Sequence, residues 1–150
     1  MKNTDIEISG KNLILNNVSD FRLSHTFECG QCFRWDSRDT DEFDEEYVGT
    51  ALGRVLKIAQ KDDKIILFDT SLREFQNIWE KYLDFSRNYG KIKDVLSGDD
   101  VMRRAIGFGY GIHILNQDVW ECIVSFIISA SNNIPRIKRI INTLCKEFGN

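Results

Sequence analysis

The stretch FECGQCFRW, residues 27–35, opens the region that decides the fold. Its apolar end, 33–35, predicts a β-strand. Other short apolar runs, separated by turn signals such as Leu52-Gly53, predict further strands: 12–15, 47–52, 55–59 and 65–68. Because short turns join antiparallel neighbours, this half of the chain predicts an antiparallel sheet.

The two cysteines of this stretch, Cys29 and Cys32, form a CxxC motif. A thioredoxin-type motif opens a helix within a βαβ unit, whereas this one runs directly into a predicted strand. A zinc site needs a second close pair, but Cys122 and Cys145 lie 23 positions apart, and we expect both at core positions of helices. We therefore predict reduced cysteines and no metal site, with a redox or zinc protein as an alternative.

The pattern becomes helical after residue 70. Ser71-Leu72-Arg73-Glu74 is a capping box, in which serine and glutamate satisfy free amides at a helix start. Apolar residues then recur at helical spacing as far as Leu83. Two shorter helices are predicted over 89–96 and 99–106, and the glycine-rich segment 107–111 ends this pattern.

A second capping signature, Asp118 followed by Glu121, predicts a helix over 119–130. This helix is apolar on nearly all sides, so we expect it at the centre of a helical bundle. Its Trp120 is expected in the core, and the same is expected of Trp35 and Trp79.

One more helix is predicted after Asn133, which suits the N-cap, with Pro135 in the first turn and Gly149 at the end. One face of this helix is apolar: Ile137, Ile140, Ile141, Leu144, Cys145 and Phe148. Two adjacent helices with such faces cannot close a core by themselves, so we interpret the chain as part of a longer protein. The alternative is that the helices over 71–106 complete the bundle.

The net charge of −3 is unevenly distributed. Segment 36–46 holds seven acids and one base, a charge of −6, so the other 139 residues sum to +3. From Asn132 onward there are four bases and one acid. A basic segment can contact phosphates while an acidic loop points away from them, although charge alone fits solvated surfaces equally well.

The first ten residues are polar and contain no apolar segment of the kind that signal peptides carry. The longest apolar stretch, 122–130, is too short to cross a bilayer. These features predict a protein that is not secreted and has no membrane partner. It is expected in the cytoplasm, associated with the nucleoid, or in the nucleus.

Two segments resemble a known family. Residues 27–35 are similar to the GQ-(S/C)-FRW segment of the 8-oxoguanine DNA glycosylases, and 116–137 to a second stretch that ends in Asn-Asn-Asn-Ile-Ala-Arg-Ile in well-known members. The resemblance implies an α+β fold, with a TATA-binding-protein-like antiparallel sheet and helices over 1–115. Residues 116–150 would then be the first helices of a helix-hairpin-helix glycosylase domain.

The resemblance also implies base-excision repair. These enzymes flip 8-oxoguanine out of duplex DNA, and a lysine assisted by an aspartate attacks the sugar. Both residues lie carboxy-terminal to the matched segments, so we assign no catalytic residue and expect the isolated chain to be inactive. The expected partner is double-stranded DNA containing oxidised guanine, with no cofactor and a monomeric complete protein. The alternative is a non-catalytic DNA- or protein-binding module of the same fold.

The resemblance assigns lesion recognition to Gly30, whose backbone carbonyl would accept a hydrogen bond from N7–H of 8-oxoguanine. Guanine has an acceptor at N7, and a buried mismatch of this kind costs about 1–3 kcal/mol. Glycine also lets a backbone approach a ligand closely. From the residues alone, a tight turn before a strand is the alternative role. Phe126 and Ile134 match positions of the pocket wall, although core packing is the expected role of Phe126.

Further residues match family positions that contact DNA and the cytosine left unpaired by flipping: Ser131, Asn132, Asn133 and Arg136. Arginine suits this role because its planar fork pairs with base edges. The chain departs from the family pattern at Ser131, which replaces an asparagine, and at Pro135, which replaces a small residue. Helix capping is the alternative role for Asn133, and a solvated charge is the alternative for Arg136.

Overall fold

A computed structural model of the protein describes residues 5–149. Within this range one antiparallel sheet has the strand order β1-β2-β6-β5-β4-β3. Its strands are β1 (Asp5–Ser9), β2 (Asn12–Asn16), β3 (Trp35–Ser37), β4 (Glu45–Ala51), β5 (Arg54–Lys61) and β6 (Lys64–Leu67). The predicted antiparallel sheet is confirmed.

Alternation of side chains fixes which face of the sheet is buried. Leu13 and Leu15 on β2, and Ile65 and Leu67 on β6, are fully buried, because every second side chain of a strand points to the same face. The β4–β5 turn has φ values of 51° and 71° at Leu52 and Gly53, which is the backbone that two-residue hairpins favour. Local pattern and turn chemistry therefore agree on the register.

The sheet differs from the prediction at two places. The predicted strand at 33–35 begins only at Trp35, because Phe33 and Arg34 belong to the loop before it. β1 was not predicted, and all five of its residues are exposed. Its strand state is set by pairing with β2 and not by burial of an apolar face.

The helices follow the predictions closely, apart from one short addition. They are α1 (Leu23–Phe27), α2 (Leu72–Glu74, the π-helical turn Phe75–Trp79, and Glu80–Tyr82), α3 (Tyr89–Leu96), α4 (Asp100–Phe108), α5 (Val119–Ser129) and α6 (Ile134–Phe148). The predicted caps are present: Ser71, Asp118 and Asn133 each accept a hydrogen bond from an amide three residues later. Helix α1 was missed because five residues are too few to show a period.

The core centres on Trp35, which lies between the sheet and the helices. Its indole stacks on Phe27 of α1 with ring centroids 4.1 Å apart, and its Nε1 donates to the hydroxyl of Tyr82 at 2.9 Å. Gly49 is the register partner of Trp35 on β4. Because Gly49 has no side chain, the indole can lie flat against the sheet. Trp79 is also fully buried, as predicted.

The expectation that α5 is central and buried is wrong for the described structure. Trp120 is 71% exposed, and Cys122 and Cys145 are exposed rather than at core positions. Only Ile137 and Ile141 of α6 are buried, in a small cluster with Phe33 and Ile128. The alternative, in which the helices over 71–106 complete a bundle, is wrong for the described residues as well: α2 packs in the core of the sheet, and no residue of α5 is buried in residues 5–149. No helix in residues 5–149 is both long and apolar enough to span a membrane.

Replacing Gly49 with alanine should destabilise the fold strongly. The added methyl group would overlap the Trp35 indole, which is fixed by Phe27 and Tyr82 and cannot move aside. Overpacking of this kind costs about 1–3 kcal/mol in the free energy of unfolding. Urea denaturation followed by tryptophan fluorescence measures the change.

Gly98→Ala is the matched control, since a methyl group at Gly98 meets nothing within 4 Å. This variant should unfold within about 0.5 kcal/mol of the parent. Equal stabilities of the two variants would contradict the close-packing role given to Gly49.

Candidate functional site

Gly30 lies in an exposed loop between α1 and β3. Its φ of +87° is in the region that glycine adopts far more readily than other residues. A methyl group added at Gly30 would meet nothing within 4 Å. Glycine is therefore favoured at this position because of its backbone conformation, and not because the rest of the chain crowds it.

Gln31 holds this loop on the body of the protein. Its Nε2 donates to the carbonyls of Thr26 and His113, both at 2.8 Å, and its Oε1 accepts from the amide of Leu115 at 3.0 Å. Its backbone carbonyl accepts from Nε2 of Gln117 at 2.6 Å. We did not assign Gln31 a role from the sequence, although its place directly after Gly30 in the motif was a usable signal.

Segment 111–117 provides the partners of Gln31 at His113, Leu115 and Gln117, and it is itself hydrogen-bonded to α1. The hydroxyl of Thr26 donates to the Gly111 carbonyl at 3.0 Å and accepts from the His113 amide at 3.2 Å. The ring of His113 is buried and stacks on Tyr89, with centroids 3.9 Å apart. Burial lowers the pKa of His113, so the ring remains neutral near pH 7. Its role here is structural.

A cleft of about 490 Å³ lies beside Gly30. It is lined mainly by α5 and includes Gly30, Gln31, Phe33, Cys122, Ile123, Ser125, Phe126, Ile127 and Ser129. The structure thus brings Gly30 and Phe126 together, two residues that were assigned to one site from the sequence. Phe126 is 79% exposed, so the expected core role for its ring is wrong for the described structure.

Charged pairs and a small apolar cluster dock α5 and α6 on the sheet. Arg34 lies 3.5 Å from the carboxylate of Glu121 on α5, and Lys138 of α6 lies 3.0 Å from Asp36 and also donates to the Trp35 carbonyl. Burial raises the pKa of Glu121, and the Arg34 guanidinium opposes that shift. Glu121 was expected to complete the capping signature that begins at Asp118. Its carboxylate binds Arg34 instead.

The α5–α6 turn presents the other residues assigned from the sequence. Asn132 donates from Nδ2 to the Ile128 carbonyl at 3.0 Å, and Asn133 caps α6 through the Arg136 amide at 3.1 Å. Ser131 has a φ of +51°, a conformation that asparagine adopts more readily than serine. The asparagine of the family pattern would therefore suit this position better.

The side chains of Arg136 and Ile134 are exposed at the start of α6. Neither they nor the residues of the turn line the cleft beside Gly30, as far as residues 5–149 show. The assigned residues thus form two groups: Gly30 and Phe126 border the cleft, whereas the α5–α6 turn and the start of α6 carry the others, Ser131, Asn132, Asn133, Ile134 and Arg136. In residues 5–149 no group of three or more His, Cys, Asp or Glu side chains is placed to hold a metal ion.

The arrangement defines a class of protein: an antiparallel sheet whose exposed glycine loop borders a cleft lined mainly by one helix, α5. A model of the family described as "8-oxoguanine DNA glycosylase, N-terminal domain" matches residues 13–123. The chain belongs to the 8-oxoguanine DNA glycosylase family.

Curated relatives agree with this assignment. The chain is 30% identical to the N-glycosylase/DNA lyase of Saccharomyces cerevisiae, over 89% of this chain and 38% of that protein. It is 27% identical to the N-glycosylase/DNA lyase OGG1 of Arabidopsis thaliana, over 83% of this chain and 34% of that protein. The chain therefore spans little more than a third of the length of these relatives.

Solved structures give the same result for the fold. The structure of MBOgg1 in complex with a low affinity DNA ligand has a TM-score of 0.91 and 44% identity, covering 99% of this chain and 50% of that one. The 8-oxoguanine glycosylase/lyase of Clostridium acetobutylicum, in complex with DNA containing cytosine opposite 8-oxoguanine, has a TM-score of 0.88 and 38% identity. That match covers 95% of this chain and 48% of the solved one. The resemblance to the family and the predicted α+β class are confirmed.

Alkylation should distinguish the two cysteines that flank Gly30. Cys32 is buried, and burial raises the pKa of its thiol to about 12, so almost none of it is thiolate at pH 8. Cys29 is exposed. We expect iodoacetamide to modify Cys32 at least roughly tenfold more slowly than Cys29. Peptide mass spectrometry at timed intervals measures both rates, and unfolding in urea should make them similar. Comparable rates in the folded protein would contradict the burial of Cys32.

Proposed function

We propose that the complete protein containing this chain recognises 8-oxoguanine in duplex DNA and takes part in its removal. The observation that carries the proposal is the placement of Gly30, whose exposed backbone borders a cleft large enough for a flipped base. Small-molecule sites in proteins measure about 300–1,000 Å³, and the volume of this cleft falls within that range. The relatives support the same conclusion, since they are named as glycosylases and lyases.

Within this site the carbonyl of Gly30 reads the lesion. 8-Oxoguanine carries a donor at N7, whereas guanine carries an acceptor there, so a backbone carbonyl distinguishes the two. Phe126, which is exposed on the same cleft, forms an apolar wall for the base. Ile134 is exposed at the start of α6 and does not line this cleft, so it is not given a place in the wall. The catalytic lysine and aspartate of the family are contributed by a part of the complete protein outside this chain.

Double-stranded DNA is the partner that fits the charge of α6. Among the basic residues of this helix, Lys138 forms an ion pair with Asp36, while Arg136 and Arg139 are exposed to solvent. Exposed arginines bind phosphates and base edges. Asn132, Asn133 and Arg136, with Ser131 before them, contact the cytosine that flipping leaves unpaired, since the turn presents them together. In this proposal 1–115 form the amino-terminal domain and 116–150 begin the helical one.

The Gly30 assignment can be tested in the complete protein with Gly30→Ala. Alanine is strained at a φ of +87°, so the loop would shift and turn the carbonyl away from the base. The lost hydrogen bond should weaken lesion processing by about 0.5–1.5 kcal/mol, and the shift of the loop would add to this loss. Single-turnover excision of 8-oxoguanine opposite cytosine, with borohydride trapping of the Schiff base, measures the effect.

Non-specific DNA affinity should barely change in Gly30→Ala, because it depends mainly on phosphate contacts. A parent protein that binds duplex DNA but never excises 8-oxoguanine would favour a non-catalytic binding module. A Gly30→Ala variant that excises the lesion at the parental rate would show that Gly30 serves only the turn.

Arg136→Ala should relax the choice of the opposite base. If the guanidinium pairs with cytosine, its loss should reduce the preference for cytosine over adenine by about 1–3 kcal/mol. Excision rates on duplexes with each opposite base measure this preference. Arg139→Ala is the matched control, since Arg139 is exposed on the same helix and has no assigned base contact. An equal loss of preference in both variants would show that Arg136 contributes only its positive charge and makes no specific contact with the opposite base.

A further inference from the structure

We infer that Gln31 is a positioning residue, which fixes the backbone of Gly30 so that its carbonyl meets the edge of the flipped base. The inference rests on the proposed function of Gly30 as the lesion reader. Gly30 is exposed and has no side chain of its own, so nothing at that residue anchors its backbone. Glycine also has the widest range of backbone conformations, and its orientation must therefore be imposed by its neighbours.

The Gln31 side chain supplies that constraint from both sides of the site. It joins the carbonyl of Thr26, at the end of α1, to the backbone of His113 and Leu115 in segment 111–117. These two parts of the chain are more than eighty residues apart in sequence. We call these three hydrogen bonds the clamp. The Thr26 hydroxyl also bonds α1 to Gly111 and His113, so the two parts of the chain that hold Gln31 are fixed to each other.

The pattern of donors and acceptors selects glutamine. Two carbonyls require two N–H donors, and one amide requires an acceptor, which a single carboxamide provides in full. Glutamate has the same shape but only acceptors, so it would face the Thr26 and His113 carbonyls without a hydrogen to share. Asparagine is shorter by one methylene and would not span the same distance. Methionine matches the length and stays neutral, but makes none of the three bonds.

A fourth bond completes the clamp from the helical side. Nε2 of Gln117, one residue before the N-cap of α5, donates to the Gln31 carbonyl at 2.6 Å. The same contact therefore places Gly30 relative to α5, which supplies most of the cleft wall. Loss of the clamp should alter how well the site distinguishes 8-oxoguanine from guanine, and should affect general DNA affinity little, because neither glutamine is charged.

The test measures lesion discrimination in the complete protein for Gln31→Met, Gln117→Leu and a control. The probes are duplexes with guanine or 8-oxoguanine opposite cytosine, in which a 2′-fluoro sugar blocks excision. The discrimination ratio is the Kd for the guanine duplex divided by the Kd for the 8-oxoguanine duplex. This ratio does not depend on the fraction of folded protein, so a loss of stability alone leaves it unchanged. We expect Gln31→Met to lower this ratio roughly 3- to 10-fold and Gln117→Leu to lower it less.

Asn116→Leu is the matched control. Its side-chain amide also donates to a backbone carbonyl, that of Lys81 at 2.7 Å, and it lies in the same part of the chain. Within residues 5–149 its hydrogen bonds go to Lys81 and Tyr82, and none goes to the Gly30 loop. It should keep the parental ratio. Hydrogen exchange should show a faster Leu115 amide in Gln31→Met and an unchanged one in Asn116→Leu, since only the first loses the acceptor of that amide.

Each outcome bears on a different claim. A parental ratio near one would overturn the proposed function, and the inference with it, before any variant is compared. A parental ratio that falls in Gly30→Ala but not in Gln31→Met, while Leu115 exchanges faster, would overturn only the positioning role. Equal losses in Gln31→Met and Asn116→Leu would do the same, because the effect would then belong to the surrounding segment and not to the clamp.

Discussion

The return of segment 111–117 to helix α1 is the contact on which the rest of the structure depends. The Thr26 hydroxyl bonds to both Gly111 and His113, and the Arg22 amide donates to the Gly111 carbonyl at 2.9 Å. A side chain at Gly111 would overlap the backbone of Arg22, so this approach requires glycine. Since the chain enters α5 directly afterwards, this contact decides where the cleft wall stands relative to the Gly30 loop.

Within residues 5–149, a small apolar cluster and two ion pairs dock α5 and α6 on the sheet. Phe33 packs with Ile137 and Ile141, while ion pairs at Arg34 and Lys138 fix α5 and α6 on the sheet. Half-exposed pairs of this kind contribute about 0–1 kcal/mol each, so the apolar cluster supplies more of the docking free energy and the charges set its orientation. α5 keeps an exposed apolar surface in residues 5–149, and the relatives are about twice as long as this chain or longer.

Local signals in the sequence predicted the elements well and their environments less well. Ser71, Asp118 and Asn133 were recognised as caps because a cap depends only on bonds within one helical turn. Trp120 was expected in the core because α5 is apolar on nearly all sides, yet burial depends on what packs against a helix, which its own sequence does not contain. The strand state of β1 likewise depended on its partner β2.

The sequence by itself determined the α+β class, the family and the candidacy of Gly30, since short motifs and periodic patterns encode them directly. Only the tertiary structure decided that Phe126 shares a cleft with Gly30, that Lys138 is engaged with Asp36, and that Gln31 clamps the loop. The physical reason is how far apart in the sequence the contacting groups lie. Caps and strand alternation act within a few residues, whereas these contacts join groups about 80 to 100 positions apart, and only the folded chain brings such groups within hydrogen-bond distance.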